Sequence, residues 1–99
     1  MPKVMFTIAY GIKPELREQY LEHVREMKQH FTSAGKKNYT VYEAKAKKNQ
    51  FTEVFLTNSI EEFDALEDNQ DELTASLVSK LDQYLDEQGM HYSTLVETL

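Results

Sequence analysis

The alternation of hydrophobic and polar positions is clearest in the middle of the chain. Two runs rich in aromatic and β-branched residues, Asn38–Ala44 and Phe51–Thr57, flank a polar, lysine-rich loop. Runs of this kind joined by a short polar segment are typical of a β-hairpin. Ser59 precedes Glu62 by three residues, which is the spacing of a capping box at the start of a helix. The sequence therefore predicts a hairpin that leads directly into a helix.

The N-terminal part of the chain shows a period of two followed by a period near 3.6. Along Val4–Tyr10 the large apolar residues occupy every second position, so we expect one face of this strand to lie against helices. Pro14 suits the first turn of a helix. Apolar residues then recur every three or four positions, as in an amphipathic helix: Leu16, Tyr20, Val24, Met27 and Phe31. Gly35 is expected to end this helix.

A second helical stripe follows Ser59 and is interrupted by the polar, mostly acidic residues 67–72. The pattern leaves open whether residues 59–88 form one kinked helix or two. Gly89 is expected to end this helical region, and residues 90–99 are expected to form the last strand. The order βαββαβ predicts an α+β, ferredoxin-like fold with a four-stranded antiparallel sheet. A chain of 99 residues fits one domain, so we assign residues 1–99 to a single unit.

In such a fold both helices cover one face of the sheet and leave the other face bare. The residues expected on the bare face are Met5, Thr7, Ala9, Phe55 and either Tyr39 with Val41 or Tyr42 with Ala44. An apolar face of about several hundred Å² is more than a monomer usually exposes. A two-fold partner that presents the same face would cover it, and we predict a homodimer through the open sheet face. The alternative is a solvated face containing scattered tyrosine and threonine residues.

The succession of Val4–Tyr10, Glu15–Met27, Tyr39–Ala44 and Phe51–Leu66 resembles the dimeric α/β-barrel superfamily. Within it the chain is most similar to the antibiotic-biosynthesis-monooxygenase-like domains. The resemblance covers essentially the whole chain and rests on no short invariant motif. It implies two sheets facing each other as a barrel, with a pocket in each subunit between helices and sheet. Members include cofactor-free oxygenases of aromatic molecules, haem-degrading enzymes and stress-responsive proteins, and the fold alone does not choose among them.

The chain departs from the haem-degrading branch of that superfamily. Haem-degrading members resemble one another in an Asn on the first strand and in a Trp and a His later in the chain. Here Thr7 lies in the middle of the first strand, the chain has no Trp, and no His lies between Phe31 and Met90. Haem degradation is therefore not expected, and we expect no cofactor.

Composition excludes several classes of function. The chain has no Cys, so it has no disulfide, thiolate zinc site or cysteine nucleophile. No apolar run is long enough to span a membrane, and the N-terminus lacks the apolar segment of a signal peptide, so a cytoplasmic location is expected. A net charge of −6 argues against general nucleic-acid binding, which depends on Lys and Arg.

Candidate site residues follow from the predicted pocket between helices and sheet. His23 flanks the buried stripe and is a candidate general base, since the unperturbed pKa of histidine is near neutrality. The alternative is a boundary histidine that bonds backbone or water. His30 is seven residues away, about 10.5 Å along a helix, so we expect no metal site. The candidate ligand contacts are small, apolar or aromatic, and the same residues could simply form the core: Thr7, Tyr20, Met27, Tyr42 and Phe63.

Two carboxylates of the predicted hairpin, Glu43 and Glu53, are expected to lie near each other. Paired carboxylates raise one another's pKa and can supply acid–base chemistry. The alternative is a salt-bridged rim, because Lys45 and Lys47 are close in sequence.

These observations predict a small dimeric α/β-barrel protein and leave open whether it is an enzyme. The first hypothesis is a metal-free, monooxygenase-like enzyme or binder of an apolar aromatic small molecule. The second is a non-catalytic module associated with stress or with protein interaction.

Overall fold

The computed structural model describes residues 2–34, 38–68 and 72–99. The elements are β1 (Val4–Ile12), a 3-10 turn (Pro14–Leu16), α1 (Arg17–Gln29) with a π-helical turn (His30–Ala34), β2 (Asn38–Glu43), β3 (Gln50–Thr57), α2 (Ile60–Asp68), α3 (Glu72–Leu81), a second 3-10 turn (Asp82–Tyr84) and β4 (Leu85–Val96). The strands form one antiparallel sheet in the order β2–β3–β1–β4. The α+β, ferredoxin-like fold is therefore confirmed.

The register places the core on the helix side of the sheet, as the alternation along β1 predicts. Phe6 of β1 lies opposite Phe55 of β3, which lies opposite Tyr39 of β2, so these three side chains share one face. The ring centroids of Phe31 and Tyr39 are 4.9 Å apart, and Phe31 packs edge-on against both Tyr39 and Phe55. Tyr20 packs on Phe51 at 4.6 Å. Aromatic pairs at such distances stabilise the core beyond their buried area.

The capping box at the start of α2 forms, except that the Glu62 side chain bonds the backbone N–H of Asn58 and not that of Ser59. The Ser59 hydroxyl accepts a hydrogen bond from the backbone N–H of Glu62 at 3.1 Å. The Glu62 carboxylate reaches back to the backbone N–H of Asn58 at 3.0 Å. Both bonds satisfy donors that a helix start would otherwise leave unpaired.

The prediction that Phe55 lies on the bare face is wrong. Because β3 alternates from Gln50, its residues Phe51, Glu53, Phe55 and Thr57 all point to the helix side and are buried. Of the two alternatives for β2, the one with Tyr42 is correct, since Tyr42 is 59% exposed while Tyr39 is buried. The described bare face carries Met5, Thr7, Ala9, Thr40, Tyr42, Thr52, Val54, Leu56, His91, Ser93 and Leu95.

The prediction that Gly89 ends the helical region is also wrong. The last helical turn ends at Tyr84, and Leu85 already pairs with Ile12 of β1. Gly89 lies inside β4 with φ 75°, at an irregularity in the register between β4 and β1. Leu85 continues the apolar spacing of α3, which is why a helix was expected through it. The interruption between α2 and α3, and Gly35 after α1, fall on residues outside those the structure describes.

None of the helices in the described part of the chain is long and apolar enough to cross a membrane.

Candidate functional site

A buried carboxylate lies at the centre of the sheet on its helix side. Glu53 is 3% exposed and sits between Phe51 and Phe55 in the inward-facing row of β3. Its neighbours across the sheet are Val41 of β2 and Ile8 of β1. Carboxylates are rarely buried this fully unless they are paired. Glu53 therefore needs either a partner or a function.

Three tyrosine hydroxyls surround this carboxylate, and we call Tyr10, Tyr20, Tyr39 and Glu53 the tyrosine–glutamate cluster. The Tyr39 hydroxyl donates a hydrogen bond to Glu53 Oε1 at 2.8 Å. The hydroxyls of Tyr10 and Tyr20 are 2.7 Å apart and bond to each other. Glu53 Oε2 is buried and has no hydrogen-bond partner among the described residues. Oε1 is thus held by the Tyr39 hydroxyl, while Oε2 is buried beside the pair formed by Tyr10 and Tyr20.

The electrostatics of the cluster follow from its burial. Burial raises the pKa of the Glu53 carboxyl, and the Tyr10 and Tyr39 hydroxyls lower it by a smaller amount. Burial also raises the pKa of Tyr10, Tyr39 and Tyr20. The tyrosines therefore stay protonated in neutral solution, and Glu53 is the one carboxyl group of the cluster.

Glu43, the second predicted carboxylate, shares the sheet face of Glu53 but has different partners. It lies opposite Phe51, at the end of β2. Arg17 donates to both of its oxygens, at 2.6 and 2.9 Å, and the backbone N–H of Asn49 donates at 2.9 Å. These bonds, that of Arg17 first, lower the pKa of Glu43 to about 2. The salt-bridged alternative describes Glu43, although its partner is Arg17 and not a hairpin lysine.

His23 is buried and connects α1 to α3. Its Nε2 lies 2.7 Å from the backbone carbonyl oxygen of Leu77. Because a carbonyl oxygen only accepts hydrogen bonds, Nε2 carries the proton and donates it. The His23 ring also lies 5.6 Å from the ring of Tyr84. A role as general base would therefore fall to Nδ1, while Nε2 fixes the ring to the backbone.

An aromatic surface extends from the core to solvent beside β4, and we call Phe6, Phe63 and Tyr92 the aromatic shelf. The rings of Phe6 and Tyr92 are nearly parallel, 6.2 Å apart at 18°. Phe63 of α2 packs on Phe6 at 5.8 Å. Tyr92 lies opposite Ile8 on the helix side of the sheet, yet it is 62% exposed. The ring of Tyr92 therefore presents an exposed aromatic surface beside Phe6.

The structure brings together only some of the predicted ligand contacts. Tyr20 and Met27 are fully buried on the inner face of α1, and Phe63 is buried in the aromatic shelf. Thr7 and Tyr42 point to the opposite, bare face of the sheet. Tyr20, Met27 and Phe63 thus lie on the same side of the sheet as Glu53, and Thr7 and Tyr42 do not.

Sequence reasoning missed the burial of Glu53, although a signal was available. Phe51, Glu53 and Phe55 occupy alternate positions of one strand, so they must share a face. A carboxylate between two phenylalanines in such a row is expected to be buried.

The grouping of possible metal ligands was also compared across the described residues. Within the ranges that the structure describes, no three His, Asp or Glu side chains are grouped closely enough to hold a metal ion.

Several solved structures share this architecture over nearly their whole length. A conserved protein from Methanosarcina mazei Go1 superposes with a TM-score of 0.83 at 11% identity, covering 99% of this chain and 95% of that one. A protein described as an antibiotic biosynthesis monooxygenase gives 0.71 at 17% identity, covering 100% and 98%. The chain has the same ferredoxin-like fold as these proteins.

A further structure with this fold is described as a cofactor-independent oxygenase from Streptomyces nogalater. It superposes with a TM-score of 0.70 at 12% identity, covering 94% of this chain and 90% of that chain. No protein-family model and no curated protein matches the sequence. At these identities the likeness concerns the fold, and function must be argued from the site.

Proposed function

We propose that this protein binds an apolar aromatic molecule at the aromatic shelf and oxidises it with dioxygen, without a metal or organic cofactor. The observation that carries the proposal is Tyr92, an exposed ring stacked on Phe6 at the helix side of the sheet. A bound ring can extend this stack, since offset aromatic pairs attract beyond the burial of their area. The cofactor-independent oxygenase of the same fold supports the choice of reaction.

The reaction needs a substrate with an acidic C–H bond. In a balanced form, a methylene between two aromatic rings reacts with one dioxygen molecule to give a ketone and one water. Removal of a proton leaves an electron pair on carbon, and this carbanion is the species that reduces dioxygen. The protein's own residues therefore have two tasks, which are to hold the ring system and to accept the first proton.

We propose further that the protein works as a homodimer through the bare sheet face. Met5, Tyr42 and Leu95 are large, exposed side chains on that face. A second copy related by a two-fold axis would cover them. A dimer would also leave the aromatic shelf on the outer, helix-bearing side of each sheet, accessible to substrate.

Native mass spectrometry with anthraquinone, a flat ring system without an acidic C–H, tests binding and assembly together. We expect a mass of twice 11.6 kDa plus bound anthraquinone. Tyr92→Ala should raise the dissociation constant about tenfold, because it removes the stacking surface. Tyr92→Phe is the matched control, which keeps the ring and should keep binding.

Oxygen uptake with anthrone, which has a methylene between two aromatic rings, then tests turnover. Wild-type protein should consume one dioxygen per anthraquinone formed, and Tyr92→Ala should be slower at low anthrone concentration. A protein that binds neither compound would contradict the proposal. Binding of these compounds without oxygen uptake would support a binding protein and contradict the proposed enzyme activity.

A further inference from the structure

We propose that Glu53 is the catalytic base that takes the proton from the substrate held on the aromatic shelf. This inference rests on the proposed function and names the residue that performs its first step. It starts from two facts about the side chain. Oε1 is held by the Tyr39 hydroxyl at 2.8 Å, and Oε2 is buried with no hydrogen-bond partner among the described residues. A buried, unpaired polar atom in a native structure calls for an explanation, and a proton-transfer role is one.

The sheet register places Glu53 on the same side of the sheet as the shelf, with Ile8 between Glu53 and Tyr92. Glu53, Ile8 and Tyr92 lie opposite one another on the adjacent strands β3, β1 and β4, all on the helix side. Neighbouring strands are about 4.8 Å apart. A ring that lies over Ile8 beside Tyr92 is therefore about one strand spacing from Glu53. Phe6 and Phe63 bound the same region, which favours a flat apolar occupant.

The chemistry suits a carboxylate in apolar surroundings. The C–H bond breaks with its electron pair left on the substrate carbon, and the proton moves to Oε2, so that Glu53 becomes a neutral carboxylic acid. Transfer removes the charge from a buried group, which apolar surroundings favour. The Tyr39 hydroxyl still donates to Oε1 in the neutral acid, so the side chain need not move during the step.

The other titratable groups of this region are less suitable as the base. Tyr10, Tyr20 and Tyr39 are hydroxyl donors whose pKa burial raises, so they do not provide an anion in neutral solution. His23 joins α1 to α3, where its Nε2 donates to the carbonyl of Leu77 and its ring packs on Tyr84. Glu43 is bound by Arg17 through both oxygens. Among these groups, Glu53 is the carboxylate that has no cation partner in the described structure and that lies opposite Ile8, on the same side of the sheet as the shelf.

Hydrogen–deuterium exchange at the anthrone methylene measures this step without oxidation. Anthrone and protein are mixed in D₂O under argon, and loss of the methylene proton signal is followed by NMR. Wild-type protein should accelerate exchange, and Glu53→Gln should lower that acceleration by about 10²–10⁴-fold, the usual contribution of a general base. The amide oxygen of Gln can still accept the Tyr39 bond, so the fold is expected to persist.

Glu43→Gln is the matched control. It neutralises a carboxylate of the same hairpin, and this carboxylate lies outside the proposed site. It should exchange anthrone like the wild type. Anthraquinone binding, which needs no base, reports separately on the shelf. Two results would overturn the role of Glu53 while anthraquinone still binds. One is equal exchange by the wild type and Glu53→Gln, and the other is no exchange by the wild type. Failure to bind anthraquinone overturns the proposed function and this inference with it.

Tyr39→Phe keeps the test informative if Glu53→Gln does not fold. The Tyr39 hydroxyl lowers the pKa of Glu53, so its removal should raise that pKa and shift the exchange profile to higher pH. The titratable groups around the carboxyl are Tyr10 of β1, Tyr20 of α1 and Tyr39 of β2. An unchanged profile in Tyr39→Phe would contradict the assignment.

Discussion

Glu43 and Glu53 are the same amino acid on the same face of the same hairpin, and their surroundings drive them in opposite directions. At the end of β2, Glu43 receives two bonds from Arg17 and one from the backbone of Asn49, and its pKa falls to about 2. In the middle of β3, Glu53 receives one bond from a neutral tyrosine, and burial raises its pKa. The surroundings of the two carboxylates thus move their pKa values apart.

The contrast separates a carboxylate that stabilises the fold from the one to which we assign proton transfer. Glu43 joins the start of α1 to the hairpin, because Arg17 stands at the first position of that helix. Glu53 contacts no cation in the described structure and sits among aromatic rings. Ionisable groups whose pKa is shifted by burial concentrate at functional sites.

The largest expected contrast is in the cost of truncation. Glu53→Ala leaves a cavity and an unpaired Tyr39 hydroxyl in the core, so the free energy of unfolding should fall by about 2–4 kcal/mol. Glu43→Ala removes a partly exposed ion pair and should cost about 1 kcal/mol or less. Urea denaturation of both variants measures these losses. Similar losses would show that the two glutamates do not differ in the way described.

The pH dependence of stability should have opposite signs at the two sites. Above pH 4.5, the ordinary value, an unfolded Glu53 loses its proton while the native one keeps it, so stability falls with rising pH by up to about 1.4 kcal/mol per unit. This fall ends once the pH passes the raised native pKa. Glu43 stabilises above pH 4.5, and its contribution is lost as the pH falls toward about 2.

Urea midpoints of the wild type, Glu53→Gln and Glu43→Gln between pH 2 and 8 separate the two contributions. Glu53→Gln should lack the fall above pH 4.5, and Glu43→Gln should be flatter below it. If the wild type and Glu53→Gln run parallel above pH 4.5, the carboxyl of Glu53 titrates normally and the comparison fails.

The smallest expected effect concerns the backbone beside Glu43. Asn49 has φ 66°, a left-handed conformation that Gly adopts freely and Ala does not. Asn49→Ala and Asn49→Gly both lose the acceptor that the Asn49 side chain offers Arg17 at 2.8 Å. Ala should therefore be about 1 kcal/mol less stable than Gly, through strain alone. Thermal denaturation of the pair measures the difference, and equal stability would show that the turn relaxes.

Patterns among neighbouring residues predicted much of this fold from the sequence. The prediction of the sheet face on which Phe55 lies was wrong, because that face depends on pairing between distant strands. The alternation in Val4–Tyr10 and the spacing of Ser59 and Glu62 depend on neighbours in sequence, and both were right. Alternation also puts Phe51, Glu53 and Phe55 together, but it does not say which side of the sheet they occupy. That choice depends on pairing with β1, almost fifty residues away.

The same limit applies to the candidate site. His23, Tyr20, Met27 and Phe63 could be placed on the helix side from the periodicity of their helices. The stack of Phe6 on Tyr92 joins positions at opposite ends of the chain, and its existence depends on the β1–β4 register. The irregularity at Gly89 shifts the β1–β4 register, and the size of this shift could not be predicted from the neighbouring residues.

Because β1 lies in the middle of the sheet, the pairing of one of its edges must wait until β4 has been synthesised. One edge of β1 pairs with β3, and the other pairs with β4, whose residues lie roughly 80 to 90 positions further along. At about 5–20 residues per second the ribosome makes β4 roughly 4–18 seconds after β1. During this interval β1 has an unpaired edge and its apolar residues lack part of their packing, so the nascent chain depends on other contacts to keep that edge from aggregating.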